Sequence, residues 1–320
     1  MAQPLLLTYG PGAVDEILTA AMPHMIPMIK DNVFNENTAL GWFYKAGKKS
    51  IKGGTSISHG LRYGGTSTSQ AYSRYETLNT TPTDGLTRDQ WNWKQYSSSV
   101  SVDGFQTRTA PAGDNALADI LEEKKSFAQD DLRNKLEADI FKSSPATNEL
   151  RSLPNIVLDS GTEGQVNGTT NTWWRSVNNA GGSFAAGTGR SQLVNTINTV
   201  SKRKPIGMPD LILSDQTSYE AHEGILVNQY RFEGSSADIG VKTITFKGIP
   251  WMWSVQATSG VIYILHSDAI KLYVDSSTDF LWTGFKVPTN QDAKVGHILF
   301  TCALATCYRR KLGKTTANAA

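Results

Sequence analysis

Twenty-eight consecutive residues, Asn115 to Lys142, contain neither glycine nor proline. Within them Leu117, Leu121, Ala128, Leu132, Leu136 and Ile140 recur on one helical face, widened by Ile120 and Phe127. Asp114 stands in the N-cap position, and Ser143-Ser144-Pro145 provides the stop. Twelve charged residues line the remaining faces, with Asp131–Lys135 and Arg133–Glu137 at i,i+4 spacing. At 1.5 Å per residue the helix runs roughly 42 Å, well beyond the usual 11–12 residues. A coiled coil is the competing reading, but fewer than four heptads with no clean a/d spacing weaken it. The pattern predicts a long helix lying across a sheet, which the rest of the chain must supply.

The stretch before the helix carries the first strands. Ile57, His59, Leu61 and Tyr63 alternate with Ser58, Gly60 and Arg62. Tyr72, Tyr75 and Leu78 follow, then a turn at Pro82-Thr-Asp-Gly85. The return leg, Gln90 to Asp103, places Trp91, Trp93, Val100 and Val102 at period two. These legs predict an extended hairpin of about 50 residues, and a two-stranded hairpin alone is marginal in water. Its aromatic residues therefore need a partner surface, in this chain or in a neighbour. Further upstream, Pro4, Pro11, Pro23 and Pro27 break every short apolar run, so residues 1–47 read as an arm. From Trp42 to Lys52, aromatic residues interleave with Lys45, Lys48, Lys49 and Lys52. That interleaving suits contact with a nucleic-acid backbone and its bases, while a solvated linker with anchoring rings is the plainer account.

After the helix, residues 150–189 are rich in Gly, Asn and Thr and read as loop and hairpin around Trp173-Trp174. Arg190 to Lys202 reads as a second helix, with Leu193, Val194, Ile197 and Val200 on one face. Lys202-Arg-Lys204 fits a phosphate patch, or cations placed against the negative end of the helix dipole. Asp210 to Ser214 reads as a buried strand, and Asp215 caps a helix to Gly224. Strands then crowd together at Val241–Phe246, Ile249–Val255, Gly260–His266 and Ile270–Val274, the first two joined by a tight turn at Lys247-Gly248. A last long strand sets Ile298, Phe300, Cys302 and Leu304 on one face. Mixed strands with one dominant helix and no regular βαβ alternation predict an α+β fold.

Composition removes several function classes. Lys and Arg number 31 against 29 Asp and Glu, a formal charge of +2, which excludes a histone-like basic binder. Cys302 and Cys307 are too few for a disulfide scaffold or a four-cysteine zinc site, and on one strand they face opposite ways. The most apolar run, Ile298 to Cys307, is about half the ~20 residues that span a bilayer, and the first residues lack a signal-peptide pattern. The expectation is a soluble intracellular product with reduced thiols and no membrane association.

Catalytic patterns fail at required positions. Gly41 to Lys48 departs from a phosphate loop by one residue of spacing, and Lys49 stands where Ser or Thr should bind magnesium. His222-Glu223 begins a zincin-like pattern, but Leu226 occupies the second histidine's place. The chain has no Gly-x-Ser-x-Gly elbow and no dinucleotide fingerprint. The expectation is a protein that is not an enzyme and has no catalytic residues, metal or cofactor.

Proline-broken arm, long hairpin, long charged helix, mixed α/β segment and closing strands come in an order that resembles the major capsid proteins of tailed double-stranded-DNA bacteriophages, of the Hong Kong 97 fold type. The resemblance covers nearly the whole chain. Gly53 to Tyr63-Gly, Tyr72 to Leu78 and Trp91-Asn-Trp-Lys-Gln to Gly104 resemble that family's E-loop, and Asn115 to Lys142 its spine helix. Arg190 to Ile225 and Gly248-Ile-Pro-Trp251 resemble its axial domain, and Gln291 to Gly313 its closing peripheral strands. The implied division is an arm at 1–48, the E-loop hairpin at 49–106, a peripheral domain at 107–188 and 272–320 with the spine helix at 115–142, and an axial domain at 189–271. The implied function is a virion structural protein that self-assembles, as hexamers and pentamers, into an icosahedral capsid around double-stranded DNA, after assembly in the host cytoplasm. No long helical segment precedes the arm, which implies a separate scaffolding protein or numbering from a processed start. A portal and a decoration protein are further implied partners.

Within that reading Tyr72, Tyr75, Trp91 and Trp93 are expected to anchor the hairpin on an adjacent subunit. Lys45, Lys48, Lys49 and Lys52 are expected to touch packaged DNA on the inner surface, without sequence preference. A β-rich tail, baseplate or carbohydrate-binding protein is the alternative, since it too would be Ser/Thr/Gly-rich with exposed tryptophans. An enzyme with an unfamiliar site is the third class.

Overall fold

A computed structural model of the chain describes residues 38–65, 68–81, 84–105, 113–184, 187–203, 207–230 and 244–316, of which 113–122 and 225–230 are described by their backbone. The expected arm up to residue 37, the Pro82 turn, Lys204 and residues 241–243 lie outside the described residues. Helix α1 (Thr38–Trp42) and a π-helical turn (Phe43–Gly47) lead into strand β1 (Lys48–Ile51). Short strands β2 (Ser56–Ile57), β3 (Gly60–Arg62), β4 (Leu86–Arg88) and β5 (Trp91–Asn92) follow, then the longer β6 (Lys94–Asp103). Helix α2 (Gly113–Phe141) is succeeded by α3 (Leu153–Ile156), β7 (Thr162–Glu163), β8 (Val166–Asn167) and β9 (Val177–Ala180). Next come α4 (Thr188–Lys202), β10 (Leu211–Ser214) and α5 (Gln216–Tyr230). Strands β11 (Ile244–Phe246), β12 (Ile249–Trp253), β13 (Ile262–Leu265), β14 (Ile270–Asp275), β15 (Leu281–Trp282), β16 (Ala293–Thr306) and β17 (Gly313–Thr316) complete the chain, with a 3-10 turn at Arg309–Lys311. The architecture is mixed α and β, as the pattern of the sequence predicts.

Two larger sheets organise these strands. One runs β1-β14-β16-β15, with β6 also pairing β16. Its β1 lies parallel to β14, and its β14 antiparallel to β16 with Leu272 opposite Leu304. The other is six-stranded in the order β11-β12-β10-β13-β17-β9. Because β17 pairs β13 and β9, this sheet joins strands on both sides of the expected axial boundaries at 189 and 271. Lys247 and Gly248 both take positive φ (54° and 77°) between β11 and β12, the geometry a two-residue hairpin needs to match strand twist. Phe184, Leu193 and Ile197 pack with Ile212, Trp251 and Ile264 of this sheet in one buried cluster.

By contact density the chain divides into two compact units. One contains Ser98–Asp131 and Trp282–Ile298; the other contains the described residues from Thr38 to Ser97, Leu132–Leu281 and Leu299 onward. In the smaller unit Gly104 N–H donates to Asp292 O (2.8 Å), and the Trp282 ring covers Gly296 so closely that an added Cβ would meet it at 2.2 Å. In the larger unit the last turns of α2 bury Leu132, Leu136, Ile140 and Phe141. Phe127, expected on the apolar stripe, is exposed. Lys135 takes a different i,i+4 partner from the expected Asp131 and adds a tertiary one. Lys135 pairs with Asp139 (2.8 Å) and Glu149 (3.2 Å), and Arg133 lies over the Phe280 ring (5.6 Å). Glu137 is buried: its carboxylate accepts from Ala39 N–H (3.1 Å), Leu40 N–H (2.7 Å) and Ser254 Oγ (2.7 Å).

One buried group makes folding sensitive to acid. His222 is 1% exposed, stacks on Trp251 at 4.6 Å and meets Phe246 edge-on at 5.2 Å. Neither ring nitrogen has a hydrogen-bond partner. Burial, with a smaller contribution from the Arg190 charge, lowers its pKa from 6.5 to about 4. Between those values the unfolded chain binds the proton and the folded chain does not, so stability falls as pH drops through that window. The loss should approach about 3 kcal/mol. Chemical denaturation at pH 7 and pH 4.5 measures it. A His222→Phe variant that keeps the whole of this pH dependence would assign it to other groups.

Candidate functional site

The hairpin is real but shorter than its alternation suggests. Beta2 pairs β5 antiparallel, with Ile57 opposite Trp91, and β3 pairs β4, with Leu61 opposite Thr87. The return leg then changes partner: β6, expected to continue the hairpin to Asp103, joins β16 in the five-stranded sheet. The paired root is tied by one buried carboxylate. Asp89 accepts from His59 N–H (2.5 Å), His59 Nδ1 (2.9 Å) and Trp91 Nε1 (2.8 Å), while its own N–H donates to His59 O (3.1 Å). The other imidazole nitrogen lies 2.6 Å from the Tyr273 hydroxyl on β14, so the root is fastened to the sheet beside it. Burial pushes the Tyr273 phenol up to about 12, which keeps its proton available for that bond.

Trp91, expected on a neighbouring subunit, is instead part of this subunit's own core. It is 5% exposed, and its ring lies against Gly164. Gly164 takes φ +59°, and an added Cβ would stand 3.0 Å from both Asp89 Cβ and the Trp91 ring, so only glycine lets β7–β8 close over the indole. Trp93 is half-buried and donates from Nε1 to Gly54 O (3.0 Å) at the start of the hairpin. The distal residues behave differently. Tyr72 is 69% and Tyr75 100% exposed, and Leu78 and Leu86 are exposed with them. Local bonds shape this segment: Ser73 N–H to Glu76 Oε2 (2.9 Å), Glu76 N–H to Ser73 O (3.2 Å) and Thr81 N–H to Asn79 Oδ1 (3.0 Å). Four exposed large apolar side chains, Tyr72, Tyr75, Leu78 and Leu86, form the kind of surface that marks a protein contact.

No family model and no curated protein matches the sequence. Solved structures match it along its length. A chain of the cyanophage A-1(L) capsid asymmetric unit aligns with a TM-score of 0.62 at 12% identity, covering 91% of this chain and 95% of that one. The chain is folded like a phage capsid subunit. A chain of Mycobacterium phage Bobi aligns at 0.60 and 12% identity, covering 96% and 98%. The capsid fold also embraces the SrpI encapsulin of Synechococcus elongatus PCC 7942, at 0.54 and 10% identity, covering 97% and 96%.

Within this capsid fold the four lysines near the start divide. Lys48 pairs with Asp279 and lies over the Tyr44 ring (4.4 Å), and Lys49 sits 5.8 Å from the Tyr273 ring. Lys45 and Lys52 are exposed. The neighbouring rings are anchors: Trp42 and Phe43 are buried edge-to-face at 5.0 Å, so they cannot stack on bases. Cys302 is buried, and Cys307 is half-buried with its thiol directed at Asp268 O (3.3 Å). Burial raises both thiols, which keeps them protonated and poorly nucleophilic. Among the described residues no three His, Cys, Asp or Glu side chains are placed to hold a metal ion, and no helix is long and apolar enough to cross a membrane. Asp89, His59 and Glu137 organise this fold without a local pattern that announces it. An aspartate next to a strand reads as a turn residue, and a glutamate on a charged helix reads as solvated.

Proposed function

We propose that this chain is the structural subunit of an icosahedral head shell of the Hong Kong 97 type, enclosing the double-stranded DNA of a tailed phage. The whole-length match to a cyanophage capsid chain carries the reading. The exposed distal hairpin, Tyr72 to Leu86, supplies its physical counterpart, because these side chains gain burial only from another surface. Tyr72 and Tyr75 are the proposed inter-subunit contacts. Aromatic anchors at interface centres contribute about 2 kcal/mol or more each. The role is structural, and self-association into hexamers and pentamers is its basis. A separate scaffolding protein, a portal and a decoration protein are the further proposed partners, with assembly in the host cytoplasm and residence in the virion. The arm at 1–48, the hairpin at 49–106, the peripheral domain and the axial domain at 189–271 are the proposed division of labour. A tail or baseplate role is disfavoured, since the match to capsid chains runs end to end.

The encapsulin match favours a second reading, a shell of the encapsulin kind. Electron microscopy of the full chain, expressed with the scaffolding protein, tests the shell. Closed particles with fivefold vertices are expected, and a uniform population of 35-kDa particles would overturn the proposal. Nuclease-protected double-stranded DNA in particles from infected cells is expected for the phage head.

A further inference from the structure

Three arginines from distant parts of the sequence converge beside the 3-10 turn that follows β16. In this turn Arg309 and Lys311 point inward and Arg310 outward. Arg309 donates from Nε to Ile156 O (2.8 Å) and from Nη2 to Ser160 O (2.9 Å), and Lys311 Nζ donates to Gly207 O (2.7 Å). Both cations are thus held by carbonyls, although Arg309 Nη1 has no hydrogen-bond partner, and carboxylates act on them only through space, Glu163 and Asp159 on Arg309 and Asp210 and Asp268 on Lys311. At the end of α4, Arg203 Nη1 donates to Arg175 O (3.1 Å) and Arg310 O (3.4 Å), drawing three segments together. Its guanidinium therefore bonds to carbonyls outside α4. Arg175 in turn donates to Gly168 O (2.7 Å) and Thr169 O (2.5 Å). Lys202 and Arg310 are exposed, and among the described residues none of Arg175, Lys202, Arg203, Arg309, Arg310 and Lys311 forms an ion pair. Burial and the like charge of Arg310 both lower the Arg203 pKa, the opposite of what a neighbouring carboxylate would do.

We propose that Lys202, Arg203, Arg175 and Arg310 form a surface that binds the phosphodiester backbone of nucleic acid. The inference rests on the head-shell reading, in which the enclosed polyanion is the abundant source of phosphate. Guanidinium groups match phosphate oxygens in geometry, and several from separate segments fit a repeating line of charge better than a lone carboxylate. Contacts of this kind carry no base information, so binding is independent of sequence and weakens with salt. The surface is distinct from the earlier lysines, of which Lys48 is already paired with Asp279.

The test is fluorescence anisotropy of a labelled random-sequence DNA duplex titrated with the purified full chain at several salt concentrations. Lys202→Glu with Arg310→Glu should weaken binding by about tenfold or more and lower the salt slope by about 2. Both side chains are exposed, and an unchanged thermal transition confirms that the variant is folded. Lys45→Glu with Lys52→Glu should change affinity less than about twofold by the same measure. Equal losses in the two variants, or none in the first, would overturn the assignment. Loss of shell formation with DNA affinity unchanged would also overturn it, assigning the patch to an acidic face of a second copy. Shells are scored separately by electron microscopy: patch-dependent DNA binding without shells keeps this surface and refutes the head shell, whereas shells with patch-independent binding refute this surface alone.

Discussion

Trp91→Ala should destabilise the isolated subunit by about 3–5 kcal/mol, the range for removing a large aromatic side chain from a core. Three losses combine. The indole leaves a cavity under Gly164, Asp89 loses one of its three donors, and the β2–β5 pair loses its buried member. Urea denaturation of the purified chain, or its disappearance from the soluble fraction, reads the effect. Tyr72→Ala with Tyr75→Ala should do the reverse. Both rings are exposed in the subunit, so its unfolding midpoint should move by less than about 0.5 kcal/mol. Shell formation should fail, or give particles that dissociate in mild denaturant. A Tyr72/Tyr75 variant that assembles with normal yield and durability would refute the hairpin contact, and a Trp91→Ala subunit of unchanged stability would refute its place in the core.

Glu137→Ala should lower stability by roughly 3 kcal/mol or more, because two backbone N–H groups and the Ser254 hydroxyl lose a charged acceptor together. The carboxylate caps the start of α1 from near the end of α2 and reaches β12's following residue at the same time, so each of three segments loses a tie. Burial raises the Glu137 pKa, whereas its three hydrogen bonds work against that shift, so their loss would leave nothing to hold an ionised group there. Glu137→Gln keeps one acceptor oxygen and should fall between wild type and Glu137→Ala. Denaturant midpoints of the three proteins give the order. An alanine variant as stable as wild type would show that Ala39, Leu40 and Ser254 find other partners.

Local physics made much of the fold legible. A run free of glycine and proline with a 3.6-residue stripe forms the same helix in any context, and α2 begins at Gly113, close to the expected Asn115. The Lys247-Gly248 turn, the alternation of Ile298, Phe300, Cys302 and Leu304, and the strand at Leu211–Ser214 are equally local. Strand partnership is not. Trp91 with Trp93 and Val100 with Val102 each keep period two, but in opposite phase, and Trp91 belongs to the hairpin while the valines belong to β6. Period two specifies which side chains share a face and says nothing about which strand lies alongside.

What the sequence by itself determined is therefore the set of elements, their order and the lack of a familiar catalytic pattern. Each follows from contacts within a few residues, where propensity, capping and alternation act. The tertiary structure alone decided which polar groups are buried and which rings face outward. Asp89, Glu137 and Arg309 look like ordinary surface residues along the chain, but each is enclosed where distant backbone groups converge on it. Trp91 and Tyr75 look alike as hairpin aromatics, yet one is sealed by Gly164 and the other stands in solvent. Burial depends on what long-range folding brings alongside a residue, and no local pattern carries that information.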